Sequence, residues 1–224
     1  MRGLLIVNAD DWGAALAATT AILTAFRAGA VTSTSAMVFM ADSERAAEVA
    51  REESVPTGLH LNLSQRFDGE TVPAKAQDHH ERALTQFRDP ARARWRFTRA
   101  AHRAATLTIR DQLAEFRRIY GRPPTHVDSH HHVHVSPSVF LSPALTPGSR
   151  VRQTRSPAPH APRVWAGPRV ARRVKHRLLS SRFHTTQRFW AIDDVHPARG
   201  GSGFDRAASI VHREPVEIMC HPSF

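Results

Sequence analysis

The stretch LLIVNADDWG, residues 4–13, joins a continuous apolar run to a polar end. Such a run is typical of a parallel β-strand that is buried on both faces. The alanine-rich residues 14–28 predict a helix that ends at Gly29, and residues 31–39 predict a second strand. The chain therefore begins with a predicted strand-helix-strand unit that has polar groups where its first strand ends.

The same alternation continues along the chain. Strands are predicted at 57–63, from residue 125 onward and at 216–221, and helices at 42–53, up to Tyr120 and at 170–179. Repeated strand-then-helix order favours a parallel sheet with helices outside it, either a closed barrel or an open doubly wound sheet. Both architectures bind ligands at the carboxyl ends of their strands, so we expect a functional site there.

Three regions fit this alternation less well. Residues 74–105 are polar, rich in arginine and weakly periodic, and we interpret them as an insertion or an irregular helical region. Residues 137–168 carry many prolines and predict a long loop, with a short strand near Val151. Asp193 and Asp194 imitate the earlier aspartate pair but lack a convincing strand before them, so we predict that they lie in a loop.

The composition predicts one globular domain over residues 1–224. A chain of 224 residues fits a single core, and its 41% hydrophobic residues are enough to bury one. The sequence shows no signal-peptide apolar region and no run of about 20 apolar residues that could cross a bilayer, so we expect a cytoplasmic protein without a membrane partner. The single cysteine, Cys220, agrees with a reducing compartment, and we interpret it as a small buried apolar residue.

Basic charge is concentrated in one segment. The chain has a formal net charge of +11, and residues 150–188 contain eleven Arg or Lys residues and no Asp or Glu. A nucleic-acid binder would show such an excess. Its confinement to one segment instead favours a solvated basic face or a patch that steers an anionic partner, and nucleic acid is the less favoured partner.

Polar side chains recur on one face of the later strands. Leu59 and Leu61 alternate with His60 and Asn62, which predicts one apolar and one polar face. Taken alone, a histidine such as His60 is more often a hydrogen-bonded core residue than a ligand. In the strand from residue 125, five polar residues share one register: His126, Asp128, His130, His132 and His134. The last strand repeats the pattern, since Glu217, Met219 and His221 fall opposite its aliphatic residues.

Several ionisable groups thus face inward from different strands. Asp10 and Asp11 end the first strand, His60 lies on the third and His130 on the fourth. Buried ionisable groups are costly unless paired or bound to a cation, so a shared divalent metal such as Zn²⁺ or Mn²⁺ is the economical explanation. Both aspartates can reach one site where the backbone turns toward Gly13, one as ligand and one as base. A helix N-cap by either aspartate is the alternative.

Five motifs, in chain order, connect the sequence to a known family. They are LLIVNADDWG (residues 4–13), VTSTSAMV (31–38), GLHLNL (58–63), PTHVDSHHHVH (124–134) and EIMCHPSF (217–224). Through them the sequence resembles the YdjC-like family, the chitooligosaccharide deacetylases. The resemblance implies a distorted TIM-like (β/α) barrel of the glycoside hydrolase/deacetylase type, in an enzyme that removes the N-acetyl group from acetylated amino sugars such as diacetylchitobiose.

The resemblance also implies roles for individual residues. A divalent metal, Mg²⁺ or Zn²⁺, would be bound by Asp11, His60 and His130, with Asp10 as general base and His221 as candidate acid. The partner would be a small carbohydrate, and a homodimer is left open. Contacts to the substrate are assigned to Trp12, Asn62, Asp128, His132 and His134.

Two departures from the family pattern stand out. Trp12 occupies the position of the usual phenylalanine, which alters the expected pocket wall. Family members continue past the last motif through roughly another helix and strand, whereas this sequence stops at Phe224. The resemblance therefore implies a barrel truncated at its carboxyl end, in a fragment, a diverged member or an inactive one.

Two other functions are left open at this point. Two histidines and one carboxylate also describe the ligand set of non-haem iron enzymes, which use Fe²⁺ and oxygen. The third possibility is an inactive barrel whose basic segment, residues 150–188, binds nucleic acid with an affinity that falls steeply with salt.

Overall fold

The computed structural model of the chain describes residues 4–153, 156, 166–195 and 208–223. Six strands lie within these residues: β1 (Leu5–Trp12), β2 (Ser33–Ala36), β3 (Thr57–Leu61), β4 (Val127–Ser129), β5 (Arg188–Ala191) and β6 (Val216–Cys220). The helices are α1 (Leu16–Arg27), α2 (Ser43–Glu52), α3 (Ala74–Phe87), α4 (Pro90–Ala93), α5 (Arg99–Tyr120), α6 (Pro137–Phe140), α7 (Ala166–Ser180) and α8 (Ile192–Val195). None of the helices in these ranges combines the length and the apolar character that a membrane span requires.

The six strands form one parallel sheet in the order β4-β3-β2-β1-β6-β5. Beyond the edge strand β4, short bridges join Val127 to Val151 and Arg150 to His184. These bridges extend the hydrogen bonding past β4, so the sheet curls instead of lying open. The predicted distorted barrel is confirmed in this form, as a curled parallel sheet whose outer face packs against helices.

The two faces of the sheet differ in polarity, as the alternation in the sequence predicts. Ala9, Leu59 and Leu61 belong to the apolar core that the strands share with the helices. The opposite face is buried and polar, and its residues hydrogen-bond to one another: Asn8, Asp10, Ser35, His60, Asp128, Arg152 and Glu217. The interior of the curled sheet is therefore filled largely by charged and hydrogen-bonding groups.

Regular helix replaces part of the region predicted to be irregular. Residues Ala74–Phe87 form the regular helix α3, so the region is helical there but not irregular as predicted. The buried residues of α3 are Ala76, His80, Ala83 and Phe87, spaced by four, three and four positions. Two of these buried residues are alanines and one is a histidine, so the hydrophobic periodicity of the helix is weak in the sequence. The status of the whole region as an insertion stays a prediction.

The strand that carries the histidine run ends earlier than predicted. β4 stops at Ser129, and His130–Val135 form a 3₁₀ turn in which His131 and His132 have a φ of 55°. The Ser129 hydroxyl accepts the backbone N–H of His134 at 2.8 Å and hydrogen-bonds its ring at 2.9 Å, which closes the turn. The prediction that the run continues as one strand face is therefore wrong beyond Ser129.

The predicted loops also contain regular elements. β5 directly precedes α8, and Asp194 in that helix accepts a backbone N–H from the end of β5 at 2.9 Å. The loop predicted at Asp193 and Asp194 is therefore wrong, because a strand of four residues joined directly to a helix leaves no turn signal. The predicted loop 137–168 contains α6, and its residues 154–155 and 157–165 lie outside the described residues.

Gly58 on β3 leaves room for an imidazole ring. A Cβ atom at this position would lie 2.4 Å from the ring of His126, whose Nε2 hydrogen-bonds Ser35 Oγ at 3.0 Å. We expect Gly58→Ala to lower the free energy of unfolding by about 1–3 kcal/mol in urea denaturation, the usual cost of overpacking. In a His126→Ala background the same substitution should cost much less, because the obstructing ring is gone. Equal costs in both backgrounds would contradict this explanation.

Candidate metal centre

The end of β1 brings two neighbouring aspartates to one side. The register of β1 against β2 shifts between Ala9 and Trp12, and Asp11 adopts a left-handed conformation with a φ of 68°. Adjacent side chains on a regular strand face apart, so this local turn allows Asp10 and Asp11 to approach the same ring. Asp10 Oδ2 lies 3.9 Å from His60 Nδ1, and Asp11 Oδ1 lies 3.3 Å from His60 Nε2. The expected convergence of the pair is present in the structure.

Three donor atoms from different parts of the chain face one point. Asp11 Oδ1 lies 3.3 Å from His60 Nε2 and 3.2 Å from His130 Nδ1, and the three ligand atoms are all within 4.8 Å of one another. Zinc bonds to nitrogen and oxygen are about 2.0–2.1 Å long, so a tetrahedral zinc ion holds its ligand atoms roughly 3.4 Å apart. Octahedral magnesium, with bonds of about 2.0–2.1 Å, holds neighbouring ligands roughly 3 Å apart. The donors and their spacing fit a divalent cation of either kind.

Asp128 fixes the orientation of the His60 ring from behind. Its Oδ1 lies 2.8 Å from His60 Nδ1, and its side chain is fully buried. Metal-binding histidines usually donate their second ring N–H to a carboxylate in this way, which leaves the other nitrogen free for the metal. The contact directs His60 Nε2 toward Asp11. Asp128, assigned to the substrate from the sequence, therefore lies behind a candidate ligand instead.

The guanidinium of Arg152 holds three carboxylates in the interior. It donates to Asp10 at 2.6 and 2.7 Å, to Asp128 at 2.6 Å and to Glu217 at 2.6 Å, and its side chain has no exposed surface. Burial alone would raise the pKa of Asp128, but Arg152 and His60 outweigh it and hold the pKa well below its ordinary value. At Glu217 burial outweighs Arg152 and raises the pKa.

Sequence reasoning missed Arg152 and Glu217 as residues of the site. Arg152 stands in the basic segment 150–188, whose charges are expected on a solvated face. The available signal was its position next to Val151, where a short strand is predicted. Glu217 carried a clearer signal, because a carboxylate on the inward face of a buried strand requires a partner.

The carboxylates make the site attractive to a cation. Burial alone disfavours a charged His60, but Asp128, Asp10 and Asp11 outweigh it and raise the pKa of His60 to about 9. Burial also disfavours an ionised Asp11, yet the hydrogen bond with His130 and the charges of His60 and His130 lower the pKa of Asp11 to about 2. The His60 shift reflects the surrounding carboxylates, and the Asp11 shift reflects the neighbouring histidines. Metal ions compete with protons for such donors.

A cavity of about 450 Å³ opens over these donors. Asp10, His60 and His130 line it together with His221, whose Nε2 lies 3.6 Å from an Asp11 oxygen and whose side chain is 52% exposed. The neighbouring Cys220 packs against the apolar core instead, and burial raises the pKa of its thiol to about 11. The cavity thus joins the candidate ligands to a solvent-accessible imidazole.

One of the five residues assigned to the substrate lines this cavity. His132 has a buried ring Nδ1 without a hydrogen-bond partner. Burial, and then the charge of Arg152, lowers the pKa of His132 to about 4, so its ring is neutral at physiological pH. A neutral imidazole with an unused nitrogen can bind a hydroxyl group of a ligand.

The other four assigned residues lie outside the cavity lining. Trp12 is fully buried in the core and donates its indole N–H to the carbonyl of Ala46 at 3.1 Å. Asn62 Oδ1 accepts the backbone N–H groups two and three residues later, at 3.3 and 2.9 Å. His134 is buried against the turn that follows β4, and Asp128 supports His60. Each side chain already satisfies an internal hydrogen bond.

A curled parallel sheet with carboxylates and imidazoles at the carboxyl ends of its strands defines a (β/α)-barrel protein with a candidate metal centre. Residues 4–224 match the family model described as YdjC-like protein. The chain therefore belongs to the YdjC-like family.

Relatives and a solved structure agree with this placement. The chain is 34% identical over 146 residues to a chitooligosaccharide deacetylase of Serratia marcescens, which covers 62% of this chain and 54% of that protein. It is 41% identical over 165 residues to a carbohydrate deacetylase of Mus musculus, which covers 70% of this chain and 51% of that protein. The chain thus spans about half the length of these relatives. A crystal structure from Enterococcus faecalis V583, provisionally named a cellobiose-phosphate cleavage protein, shares the fold with a TM-score of 0.68 and 21% identity, over 100% of this chain and 82% of that one.

Loss of the buried guanidinium should destabilise the whole fold. Arg152→Met leaves Asp10, Asp128 and Glu217 without their cation, and breaking a buried ion pair in this way typically costs about 3–5 kcal/mol. We expect a loss of that size in the free energy of unfolding measured with urea. The control is Arg66→Met, which removes an arginine that is 75% exposed and paired with Glu81. An Arg152 variant as stable as the control would show that the buried network is unimportant for folding.

Proposed function

We propose that this chain is a metal-dependent hydrolase that removes N-acetyl groups from acetylated amino sugars, with chitooligosaccharides such as diacetylchitobiose as the substrate class. The observation that carries the proposal is that His60 Nε2 and His130 Nδ1 lie 3.3 and 3.2 Å from the same Asp11 oxygen, and that both histidines line an open cavity. The names of the relatives, chitooligosaccharide deacetylase and carbohydrate deacetylase, support the reaction and the substrate class.

The candidate ligands for the divalent cation, Mg²⁺ or Zn²⁺, are Asp11, His60 and His130. When bound, such an ion polarises a carbonyl group and lowers the pKa of a bound water. The contact between Asp128 and His60 keeps the ring nitrogen of His60 directed at this position. The chain therefore supplies both the ligands and the support that fixes one of them.

Asp10 is the candidate general base. Its carboxylate lines the cavity and is held in place by Arg152 and by the side-chain amide of Asn8 at 2.9 Å. A base in a fixed position can accept a proton from the water that attacks the acetyl carbonyl carbon. Arg152 compensates the negative charge of Asp10 before the reaction. It remains a hydrogen-bond donor to the Asp10 carboxyl group after the proton has been accepted.

His221 is the candidate acid. Its half-exposed ring lies on the open side of the cavity, near Asp11, and can exchange protons with solvent. Protonation of the amine by His221 as the C–N bond breaks would release acetate and the free amino sugar. His132 is the remaining candidate for a contact with the sugar, because its ring lines the cavity and one nitrogen is unused.

We further propose a cytoplasmic location and a small carbohydrate as partner. The location is supported by the single cysteine, Cys220, which has no second cysteine in this sequence with which to form a disulfide. The oligomeric state stays a prediction.

Removal of the metal should abolish acetate release. We expect the chain to release acetate from diacetylchitobiose, to lose this activity after chelation, and to regain it with added Mg²⁺ or Zn²⁺. Asp11→Asn and His60→Gln should reduce the rate by more than the roughly 10–100-fold typical of changes behind a metal ligand. His79→Gln is the matched control, because His79 pairs with Asp111 between two helices and does not line the cavity.

The same assay separates hydrolysis from oxygen chemistry. Two histidines and one carboxylate also suit Fe²⁺, but hydrolysis consumes no oxygen. Anaerobic release of acetate with Mg²⁺ or Zn²⁺ supports the proposal. Activity that survives the loss of Asp11 or His60 would eliminate these residues as ligands.

Asp128→Asn should weaken metal binding without removing a ligand. The amide oxygen of asparagine is a weaker, uncharged acceptor for the N–H of the His60 ring, so we expect metal affinity to fall about 10–100-fold. Calorimetric titration with Zn²⁺ measures this directly. Asp111→Asn is the control, since Asp111 also bonds a histidine, His79, but away from the cavity. Equal Zn²⁺ affinities in both variants would refute the supporting role of Asp128.

A further inference from the structure

A second cavity, of about 560 Å³, lies at the pole of the barrel opposite the candidate metal centre. Its lining includes Leu5 and Ser33, where β1 and β2 begin, Thr125 just before β4, and Pro215 just before β6. Parallel strands all begin at the same end of a sheet, so this is the amino-terminal pole. The candidate ligands lie at the other ends of these strands.

The polar part of the lining is basic and rich in hydroxyl groups. Arg150 contributes an exposed guanidinium group, and five Ser or Thr residues contribute hydroxyls. The guanidinium of Arg152 is fully buried and bonded to carboxylates. The one carboxylate in the lining, Glu217, is already bonded to Arg152. Arg150 is exposed and forms no ion pair within the described part of the chain. The Thr186 hydroxyl is buried there and has no hydrogen-bond partner.

The rest of the lining is apolar. Its apolar residues include Leu4, Leu5, Ile6 and Pro56. A cavity of this volume, with apolar walls and a few directed polar groups, is typical of sites for small organic ligands. Guanidinium groups bind phosphate oxygens with two parallel hydrogen bonds, and hydroxyls add further donors. The lining therefore suits a molecule with a phosphate group and a short carbon skeleton.

We propose that this cavity binds a small phosphate monoester, with its phosphate on Arg150 and the Thr186 hydroxyl and its carbon part against the apolar residues of the lining. The site is separate from the cavity above the candidate metal centre, with which it shares no lining residue.

Two hydrogen-bonded paths connect this site with the candidate metal centre. Glu217 and Arg152 line the second cavity, and Arg152 continues to Asp10 at 2.6 Å. His126 lines it as well and contacts Ser35 at 3.0 Å. Ser35 donates to Asp128 at 2.8 Å, and Asp128 holds the ring of His60. A ligand that shifts Glu217 or His126 in this lining would therefore act on Arg152 and Ser35, which contact Asp10 and Asp128.

Binding is tested by calorimetric titration of the full chain with glycerol 3-phosphate, with inorganic phosphate and acetate as separate arms. We expect saturable binding of glycerol 3-phosphate, weaker binding of phosphate, and little for acetate. Arg150→Gln should weaken the first at least about tenfold, because hydrogen bonds to charged groups contribute about 1.5–3 kcal/mol. Thr186→Val should weaken it less, and Arg66→Gln should leave it unchanged. Equal affinities in the Arg150 and Arg66 variants would overturn the site.

Two further measurements separate this site from the proposed function. Binding of glycerol 3-phosphate should persist in His60→Gln, because that residue belongs to the other cavity; loss of binding there would overturn the proposal. An effect on turnover rests on the proposed deacetylation. Saturating glycerol 3-phosphate should change the rate of acetate release at least about threefold in the unmodified chain and leave it unchanged in Arg150→Gln. If no acetate is released while Arg150-dependent binding remains, the proposed function fails and this site stands.

Discussion

Arg152 stands inside the curled sheet with its guanidinium bonded to Asp10, Asp128 and Glu217. An ionised carboxylate is tolerated in such an environment only when it is paired, and a guanidinium presents five N–H donors in a rigid fork. One side chain can therefore serve three acids at once. This contact allows the interior of the sheet to hold charged groups and still fold.

The contact also determines how the candidate centre is assembled. Asp10 becomes part of the cavity wall, and Asp128 becomes the support of His60. The ring nitrogen of His60 is thus directed toward Asp11 by Asp128, which is not itself one of the three candidate ligands. Sites perform best when their ligands are held by a second layer of fixed residues, and here that layer is continuous with the packing of the barrel.

The range of each interaction explains which parts of this architecture were predictable. Apolar runs and polar strand ends follow rules that act over a few residues, so the strand-helix order and the meeting of Asp11, His60 and His130 could be inferred. Arg152 could not, since it lies 142 residues from Asp10 in the sequence and its neighbours have the composition of a loop. The early end of β4 depends on the hydroxyl of Ser129 folding back on a histidine, a contact that periodicity does not encode.

The left-handed backbone at Asp11 restricts what this position can become. Most side chains are strained in that conformation, and besides glycine it is aspartate and asparagine that adopt it readily. Of the two amino acids that carry a carboxylate, aspartate alone belongs to that group. Any descendant of this protein that exchanged the acid for a longer one would have to rebuild the end of its first strand, so the backbone limits which carboxylate can stand at this position.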